Sequence, residues 1–313
     1  SSILFLVSKC RMANSFNLSF LHKLIFFNIS IFLLSGCQLE NKLVLSDQPR
    51  ITSNTKNESQ GAKASPKAAT GKQKLAKKSP IKTYNDTSTK SEKYMVAAAN
   101  PLAAKAGLAM LKMGGSAVDA AIATQLALNV VEPQSSGIGG GSFLMHYQSS
   151  SHLIEAYDGR EKAPAAATGD MFLKPDGSRP NFYDVVPGGL SVGVPGALRM
   201  FELAHKKHGK LPWSKLFEPA IRLAEEGFNI SPRLHYLIKI DRFLKTFKTS
   251  REFFFTKDGY AKPVGTRLVN KPLANTFRKI AEGGSAVFYT GPIAAEIINT
   301  IRAAKINPGR MKL

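Results

Sequence analysis

The sequence predicts a mixed α/β domain whose second half is mainly helical. Three features of the 313-residue chain indicate this class. A short apolar stretch at 94–99 leads into two alanine-rich helical segments, two alternating segments follow around a serine turn, and five helix-like segments come after residue 190. Because few strands follow that point, one domain with a helical half fits better than two independent domains. A hydrophobic fraction of 43% is sufficient for a large core.

The net charge of the chain is +21, and such a basic excess is typical of proteins that bind nucleic acid. Its distribution argues against that function. Residues 38–93 hold twelve Lys and Arg against five Asp and Glu and show no apolar periodicity, which predicts a disordered basic tether. The remaining excess is scattered over the helical part, without the regularly interleaved aromatic residues that base stacking needs. We therefore expect no nucleic-acid partner.

The segment 12–37 has the parts of a secretory signal peptide. Lys23 precedes the apolar run LIFFNISIFLL (24–34), which is too short to span a bilayer, and small residues follow it. The tetrad LSGC, which ends at Cys37, resembles the lipobox of bacterial lipoproteins, in which the cysteine is lipidated and becomes the mature N-terminus. This resemblance implies a lipid-anchored protein of the bacterial cell envelope, facing the periplasm or the cell surface, with residues 1–11 upstream of the true start. A buried hydrophobic helix with a stray thiol is the alternative.

Capping signals predict the first elements of the domain, which occupies 94–313. The stretch YMVAAA is typical of a short buried strand, and Asn100 caps a helix that ends at Gly114–Gly115. Ser116 and Asp119 have the spacing of a capping box and begin a second helix. The many alanines of both helices predict close packing, because small side chains let neighbouring elements approach each other.

The glycine-rich stretch GIGGGSFLMHY (137–147) does not fit a dinucleotide-binding loop. Such a loop follows a strand, begins a helix and has glycine at its sixth position, whereas here a helix precedes, a strand follows and the sixth position is Ser142. Glycines that allow close backbone approach and positive φ at the start of a strand are the better interpretation. We expect no cofactor.

Two strands and five helices are predicted after these glycines. Segments 142–147 and 152–158 form an antiparallel hairpin, since only the turn SSS joins them. The helix-like segments, which have start or stop signals, are 193–209, 213–227, 231–244, 270–284 and 291–304.

The segment from Tyr94 to about Pro308 resembles the large-subunit part of the gamma-glutamyltransferases, also called glutathione hydrolases. The resemblance rests on stretches in the same order, namely GLAMLKMGGSAVDAAIATQLALNVVEPQSSGIGGGSFLMHY, YDGREKAPAAAT, DMFL, GGLSVGVPG and LPWSKLFEPAIRLAEEGF. It implies an N-terminal nucleophile hydrolase fold, an αββα sandwich in which two mainly antiparallel sheets lie between helical layers. It also implies a precursor that cleaves itself into two subunits and exposes a threonine at the start of the small one.

The same resemblance implies cleavage of gamma-glutamyl amide bonds, as in glutathione, through an acyl-enzyme. A threonine hydroxyl attacks the gamma-carbonyl with its own α-amino group as base, and the acyl group passes to water, an amino acid or a peptide. The sequence ends at Leu313, before the family's processing site, and neither Thr168 nor Thr290 has the required context. We therefore expect a truncated large subunit with an incomplete sandwich, inactive without the small subunit of the same precursor.

Residues 154–164, IEAYDGREKAP, place an arginine where a strand ends. In the family, the arginine of this Arg-Glu pair binds the α-carboxylate of the gamma-glutamyl group, and the matching residue here is Arg160. A guanidinium is a planar, permanent cation that binds a carboxylate through two hydrogen bonds, which supports this role independently. Gly159 and Pro164 favour a rigid backbone around Arg160. We expect Glu161 to be a structural partner of Arg160. A solvated turn is the alternative.

His205 and His208 are three residues apart and suggest a metal site. Glu202 is the only carboxylate at a supporting position, and Lys206 and Lys207 add positive charge. Cations that complement a helix dipole are the better interpretation, so no metal site is predicted.

Two other functions remain open. An acylase for cephalosporin-type or glutaryl amide side chains shares the motifs, and Arg160 would then bind a different carboxylate. A non-catalytic surface lipoprotein would use the same fold as a binding or structural module. Without the small subunit, we expect the sheets to expose unpaired edges and apolar faces and the chain to aggregate.

Overall fold

The computed structural model describes residues 7–9 and 90–313. The predicted signal peptide at 12–37, with the lipidation site Cys37, lies outside the described residues, as does nearly all of the tether at 38–93. No helix of the described part is long and apolar enough to cross a bilayer.

The described residues form six short strands and ten α-helices, which confirms the mixed α/β class. The strands are β1 Val7–Lys9, β2 Tyr94–Val96, β3 Ser142–Gln148, β4 Leu153–Gly159, β5 Phe228–Asn229 and β6 Arg267–Leu268. The helices are α1 Pro101–Lys112, α2 Ala117–Val131, α3 Phe182–Val185, α4 Ala197–His208, α5 Glu218–Glu226, α6 Pro232–Ile240, α7 Lys248–Phe254, α8 Lys271–Gly283, α9 Ala286–Tyr289 and α10 Gly291–Arg302. Two 3₁₀ turns span Trp213–Leu216 and Leu244–Thr246.

The strands pair as three antiparallel two-stranded sheets within the described ranges, β1 with β2, β3 with β4 and β5 with β6. Within these residues no sheet has more than two strands, so the sandwich that the resemblance implies is incomplete here, as expected. A sheet layer needs several strands of useful length, and only β3 and β4 reach seven residues. Their hairpin is the one predicted from the sequence, with Ser142 opposite Gly159 and His146 opposite Glu155.

The caps and the close packing predicted for the first two helices are confirmed. The Asn100 side chain accepts a hydrogen bond at the start of α1, and Ser116 and Asp119 form both bonds of a capping box at the start of α2. The helices touch at Gly107, where an added Cβ would lie 2.9 Å from the Ala120 carbonyl oxygen. Any larger residue at this position would force α1 and α2 apart.

The core is organised around α2, of which twelve of fifteen residues are buried. A helix that is buried on all sides belongs to the centre of a domain, and α1, α4 and α5 pack around it. A second part of the core joins α5 to α8. There the fully buried rings of Phe217 and Phe277 meet edge to face at 6.0 Å between centroids. Burying one such ring contributes about 1.5–3 kcal/mol relative to leaving it exposed.

Three helices are absent from the prediction, namely α3, α7 and α9. Each is at most seven residues long and none has a side-chain hydrogen bond at its N-cap. The sequence therefore carries no local signal for them, and tertiary packing determines them. The predicted helix at 231–244 ends early, at Ile240, because the Asp241 carboxylate accepts the backbone N–H groups of Phe243 and Leu244.

Candidate functional site

Arg160 follows directly on the last residue of β4. Its backbone N–H donates to the Asp158 carboxylate at 2.8 Å, which turns the chain out of the strand. The strand end also contacts the start of α4. An added Cβ at Gly159 would lie 2.7 Å from Met200 Cβ, and one at Gly196 would lie 2.7 Å from the Arg160 carbonyl oxygen. This close approach fixes the backbone that carries Arg160.

Arg160 lines an open cleft of about 370 Å³. Pro164, Phe172 and Val192 also line it. The backbone of Lys162, which also lines the cleft, is held by two hydrogen bonds with the backbone of Val194, at 3.1 and 2.8 Å. The cleft thus combines apolar residues with Arg160, Glu161 and Lys162, and the one acidic residue among these three is paired with Arg160, which leaves a net positive charge suited to a small anionic ligand.

The Arg160 side chain is 59% exposed, and its Nε lies 3.2 Å from Glu161 Oε2. Within the described residues, the Arg160 guanidinium donates no side-chain hydrogen bond, and its ion pair with Glu161 is formed through Nε. An exposed pair of this kind contributes at most about 1 kcal/mol. The terminal nitrogens are therefore available to bind a ligand carboxylate.

Glu161 is held by the glycine-rich loop (137–141). An added Cβ at Gly141 would lie 2.8 Å from the Glu161 backbone nitrogen, and one at Gly193 would lie 2.8 Å from Glu161 Cβ. The Gly140 carbonyl accepts the backbone N–H of the first residue of α4 at 3.2 Å. The predicted close backbone approach is confirmed, but the predicted positive φ is wrong, since none of the loop's glycines adopts it. Contact with Glu161, rather than backbone handedness, accounts for glycine at 141.

The two threonines considered from the sequence are engaged locally. The Thr290 hydroxyl donates to the Ala286 carbonyl at 2.8 Å. A hydrogen bond from the Thr168 side chain lowers the pKa of Asp170. Both contacts lie within a few residues along the chain and are typical of structural hydroxyl groups.

The structure gives His205 and His208 different surroundings. Both lie in the last turn of α4, as the dipole interpretation expects. His205 Nε2 lies 2.9 Å from the Leu211 carbonyl oxygen, whereas His208 Nε2 lies 2.6 Å from Glu155 Oε2. The expectation that Glu202 is the only supporting carboxylate is wrong, because β4 brings Glu155 to His208 from 53 residues away.

His146 completes a polar cluster between the hairpin and α4. Its ring stacks on His208 with 3.9 Å between centroids. Burial lowers the pKa of His146, and the charge of His208 lowers it further. A hydrogen bond from Lys207 lowers the pKa of Glu155. The signal that sequence reasoning missed is the alternation along β3 and β4, which places His146, Glu155 and Tyr157 on one face.

The comparisons with known proteins agree with one another. The sequence model described as gamma-glutamyltranspeptidase matches residues 103–312. The glutathione hydrolase proenzyme of Bacillus subtilis is 43% identical over 208 residues, which cover 66% of this chain and 35% of that protein. Scoloptoxin SSD14 of Scolopendra dehaani is 45% identical over 202 residues, 64% of this chain and 34% of that protein.

A solved structure extends the similarity to the fold. The gamma-glutamyltranspeptidase of Helicobacter pylori superposes with a TM-score of 0.65 and 35% sequence identity, over 69% of this chain and 61% of that one. The chain spans about a third of the length of the curated relatives described above, 34% and 35%.

Proposed function

The chain belongs to the gamma-glutamyltranspeptidase family, and on this premise we propose that it is the substrate-binding part of a gamma-glutamyltransferase or glutathione hydrolase. In this proposal Arg160 binds the α-carboxylate of a gamma-glutamyl group, and a second subunit from the same precursor supplies the nucleophilic threonine. The observation that carries the proposal is the exposed guanidinium of Arg160 lining a cleft of ligand size.

The chemistry of Arg160 suits this substrate. Its terminal nitrogens form a planar fork that matches the two oxygens of a carboxylate, and a hydrogen bond to a charged group contributes about 1.5–3 kcal/mol. A cleft of about 370 Å³ falls in the size range of small-molecule sites. Glu161 packs against Gly141 and Gly193, and its carboxylate lies 3.2 Å from Nε of Arg160.

In this proposal, Arg160 orients the substrate during catalysis. The threonine hydroxyl of the second subunit attacks the gamma-carbonyl, the amide C–N bond breaks, and the leaving amine takes a proton. Water or an amine then attacks the acyl-enzyme ester and releases the threonine hydroxyl. A carboxylate fixed at Arg160 keeps the gamma-carbonyl in one position through both steps, which reduces the entropic part of the barrier.

One face of the β3–β4 hairpin supports the presence of a second subunit. Its large apolar side chains are 44 to 63% exposed, namely Phe143, Met145, Tyr147 and Ile154. This confirms the expectation of an exposed apolar face. An apolar sheet face open to solvent is typical of an interaction site, because burying it against a partner is favourable.

The proposal is tested by titrating glutathione into the full chain and its variants by calorimetry. We expect Arg160→Lys to weaken binding at least tenfold, because an ammonium cannot form the bidentate contact. Arg251→Lys, at an exposed position of α7, is the matched control and should bind as the wild type does. Equal affinities of the wild type and Arg160→Lys would contradict the role of Arg160.

A second measurement separates the alternatives. Binding of a glutaryl amide in place of glutathione, with the same dependence on Arg160, would favour the acylase, and binding of neither would favour a non-catalytic surface protein. Hydrolysis of gamma-glutamyl-p-nitroanilide by the purified chain alone would show that the nucleophile does not come from a second subunit.

We further propose that Cys37 carries a lipid that anchors the protein in the bacterial cell envelope, on the periplasmic or outer side. The support is the signal-peptide pattern at 12–37 and the tetrad LSGC. In cells fed an alkyne-labelled fatty acid, we expect label on the wild type but not on Cys37→Ser, and we expect the Cys37→Ser protein to be lost from the membrane fraction. Label retained by Cys37→Ser would contradict the anchor.

A further inference from the structure

Three potential metal ligands from three different elements converge between the hairpin and α4. His146 lies on β3, Glu155 lies opposite it on β4, and His208 is the last residue of α4. One donor atom from each residue lies within 4.8 Å of the other two. The three side chains are partly buried, with 16, 28 and 11% exposure for His146, Glu155 and His208.

We propose that His146, Glu155 and His208 bind a divalent transition-metal ion at this junction, with zinc as the best match. Two imidazoles and one carboxylate are a donor set that zinc accepts, and they leave a fourth tetrahedral position for water. Magnesium and calcium prefer oxygen ligands, so the two nitrogens select against them.

The separations in the cluster support a bridging ion. His146 Nδ1 is buried and has no hydrogen-bond partner within the described residues. It lies 3.9 Å from Glu155 Oε2, which is too far for a hydrogen bond. Two bonds of about 2.0–2.2 Å at the tetrahedral angle of one zinc ion span roughly 3.3–3.6 Å, so a small movement of the Glu155 side chain brings the two atoms to that separation. The ion would therefore satisfy a nitrogen that is otherwise buried without a partner.

When the ion binds, one distance must lengthen and the stacked rings of His146 and His208 must turn apart, because an imidazole binds a metal in its own ring plane. His208 Nε2 and Glu155 Oε2 are 2.6 Å apart, and two ligands of a tetrahedral ion lie roughly 3.3 Å apart. Rotation of the Glu155 side chain supplies this change, since its carboxylate is partly exposed. The Tyr157 hydroxyl lies 2.9 Å from His208 Nε2 and is placed to hydrogen-bond a water on the ion.

The surroundings also favour a cation. The negative end of the α4 dipole points at His208. Lys207 contacts Oε1 of Glu155 and leaves Oε2 for the site. Because Lys207 is bound to the same carboxylate through the other oxygen, its positive charge opposes the binding of an ion at Oε2 of Glu155. None of the three ligands lines the cleft at Arg160, so this proposal does not depend on the proposed function.

The test is a zinc titration of the full chain in a Cys10→Ser/Cys37→Ser background, which removes the two thiols that would bind zinc elsewhere. We expect one equivalent of zinc, and we expect His146→Ala, Glu155→Gln and His208→Asn each to weaken binding at least tenfold. His152→Asn is the matched control, because it removes a hairpin histidine at φ 55, a conformation that Asn tolerates. Circular dichroism establishes that each variant is folded.

The competition with Lys207 gives a second, independent readout. Lys207→Gln removes a competing cation from an exposed position and should tighten zinc binding about fivefold, without changing a ligand. Cobalt(II) in place of zinc should give the visible absorption of nitrogen and oxygen ligands in the control and lose it in Glu155→Gln. The proposal is overturned if no zinc binds at micromolar concentration, if the ligand variants bind as the control does, or if Lys207→Gln leaves the affinity unchanged.

Discussion

Replacing Asp119 with alanine removes an acceptor that serves three backbone N–H groups in a fully buried position. Asp119 Oδ2 lies 2.8 Å from the nitrogen of Ser116, 2.9 Å from that of Lys210 and 3.1 Å from that of Leu211. The first contact belongs to the capping box of α2, and the other two hold the loop after α4. One carboxylate thus ties the central helix to a segment more than 90 residues away.

The expected loss follows mainly from these three bonds, since the other carboxylate oxygen, Oδ1, makes only a longer contact of 3.5 Å with His205 Nε2. A hydrogen bond to a charged group contributes about 1.5–3 kcal/mol, and the three are not additive because they share one oxygen. We expect Asp119→Ala to lower the free energy of unfolding by roughly 3–5 kcal/mol, a large part of the 5–15 kcal/mol typical of a domain. The matched control Ser116→Ala loses only the acceptor for the Asp119 N–H, at 3.1 Å, and should lose about 1 kcal/mol.

The measurement is urea unfolding of the full chain and both variants, followed by the fluorescence of the single tryptophan, Trp213. Trp213 is a suitable probe because its partly buried indole donates to the Ile280 carbonyl at 3.0 Å and packs against the core next to Phe217. If Asp119→Ala lost no more stability than Ser116→Ala, the loop N–H groups would have other acceptors and the reasoning would be refuted.

Three further predictions concern other parts of the chain. Gly196→Ala should lower the unfolding midpoint by an amount equivalent to about 1–3 kcal/mol, because its Cβ would lie 2.7 Å from the Gly159 carbonyl carbon. An unchanged midpoint would mean that the end of β4 moves away from the new methyl group without loss of stability. Burial acts to raise the pKa of Glu202, but hydrogen bonds from Ser285 outweigh it and leave that pKa lowered. The resulting stability is present above the ordinary glutamate pKa and is lost as pH falls through the lowered value. The stability gap between the wild type and Ser285→Ala should therefore shrink as the solution is acidified, and a gap constant with pH would contradict this. Ile154→Lys, at a side chain 63% exposed, should reduce light scattering and change unfolding by less than about 0.5 kcal/mol; unchanged scattering would show that another surface aggregates.

Features set by neighbours along the chain could be predicted from the sequence. The Asn100 cap and the capping box of Ser116 and Asp119 depend on residues two or three positions apart. Arg160 could be placed at a strand end because alternation and a following turn mark that end in the sequence. Such signals are local, and the structure reproduces them.

Features set by distant segments could not be predicted. The carboxylate of Glu155 reaches His208 only because β4 packs against the last turn of α4, which helical spacing does not report. The hydrogen bonds from the backbone N–H groups of Lys210 and Leu211 to Asp119 also depend on distant segments that pack together. The sequence predicts only the local capping-box bond of Asp119 and does not indicate these further donors.

The contact between Gly159 and Gly196 has a mechanical consequence. Helix α4 begins at that contact, beside Arg160, and ends at His208, beside Glu155. Its twelve residues form a rod about 18 Å long, and β4 runs back along it from the second junction to the first. A shift of the rod along its axis would displace both junctions at once. The arginine and the histidine cluster therefore cannot be repositioned independently of each other.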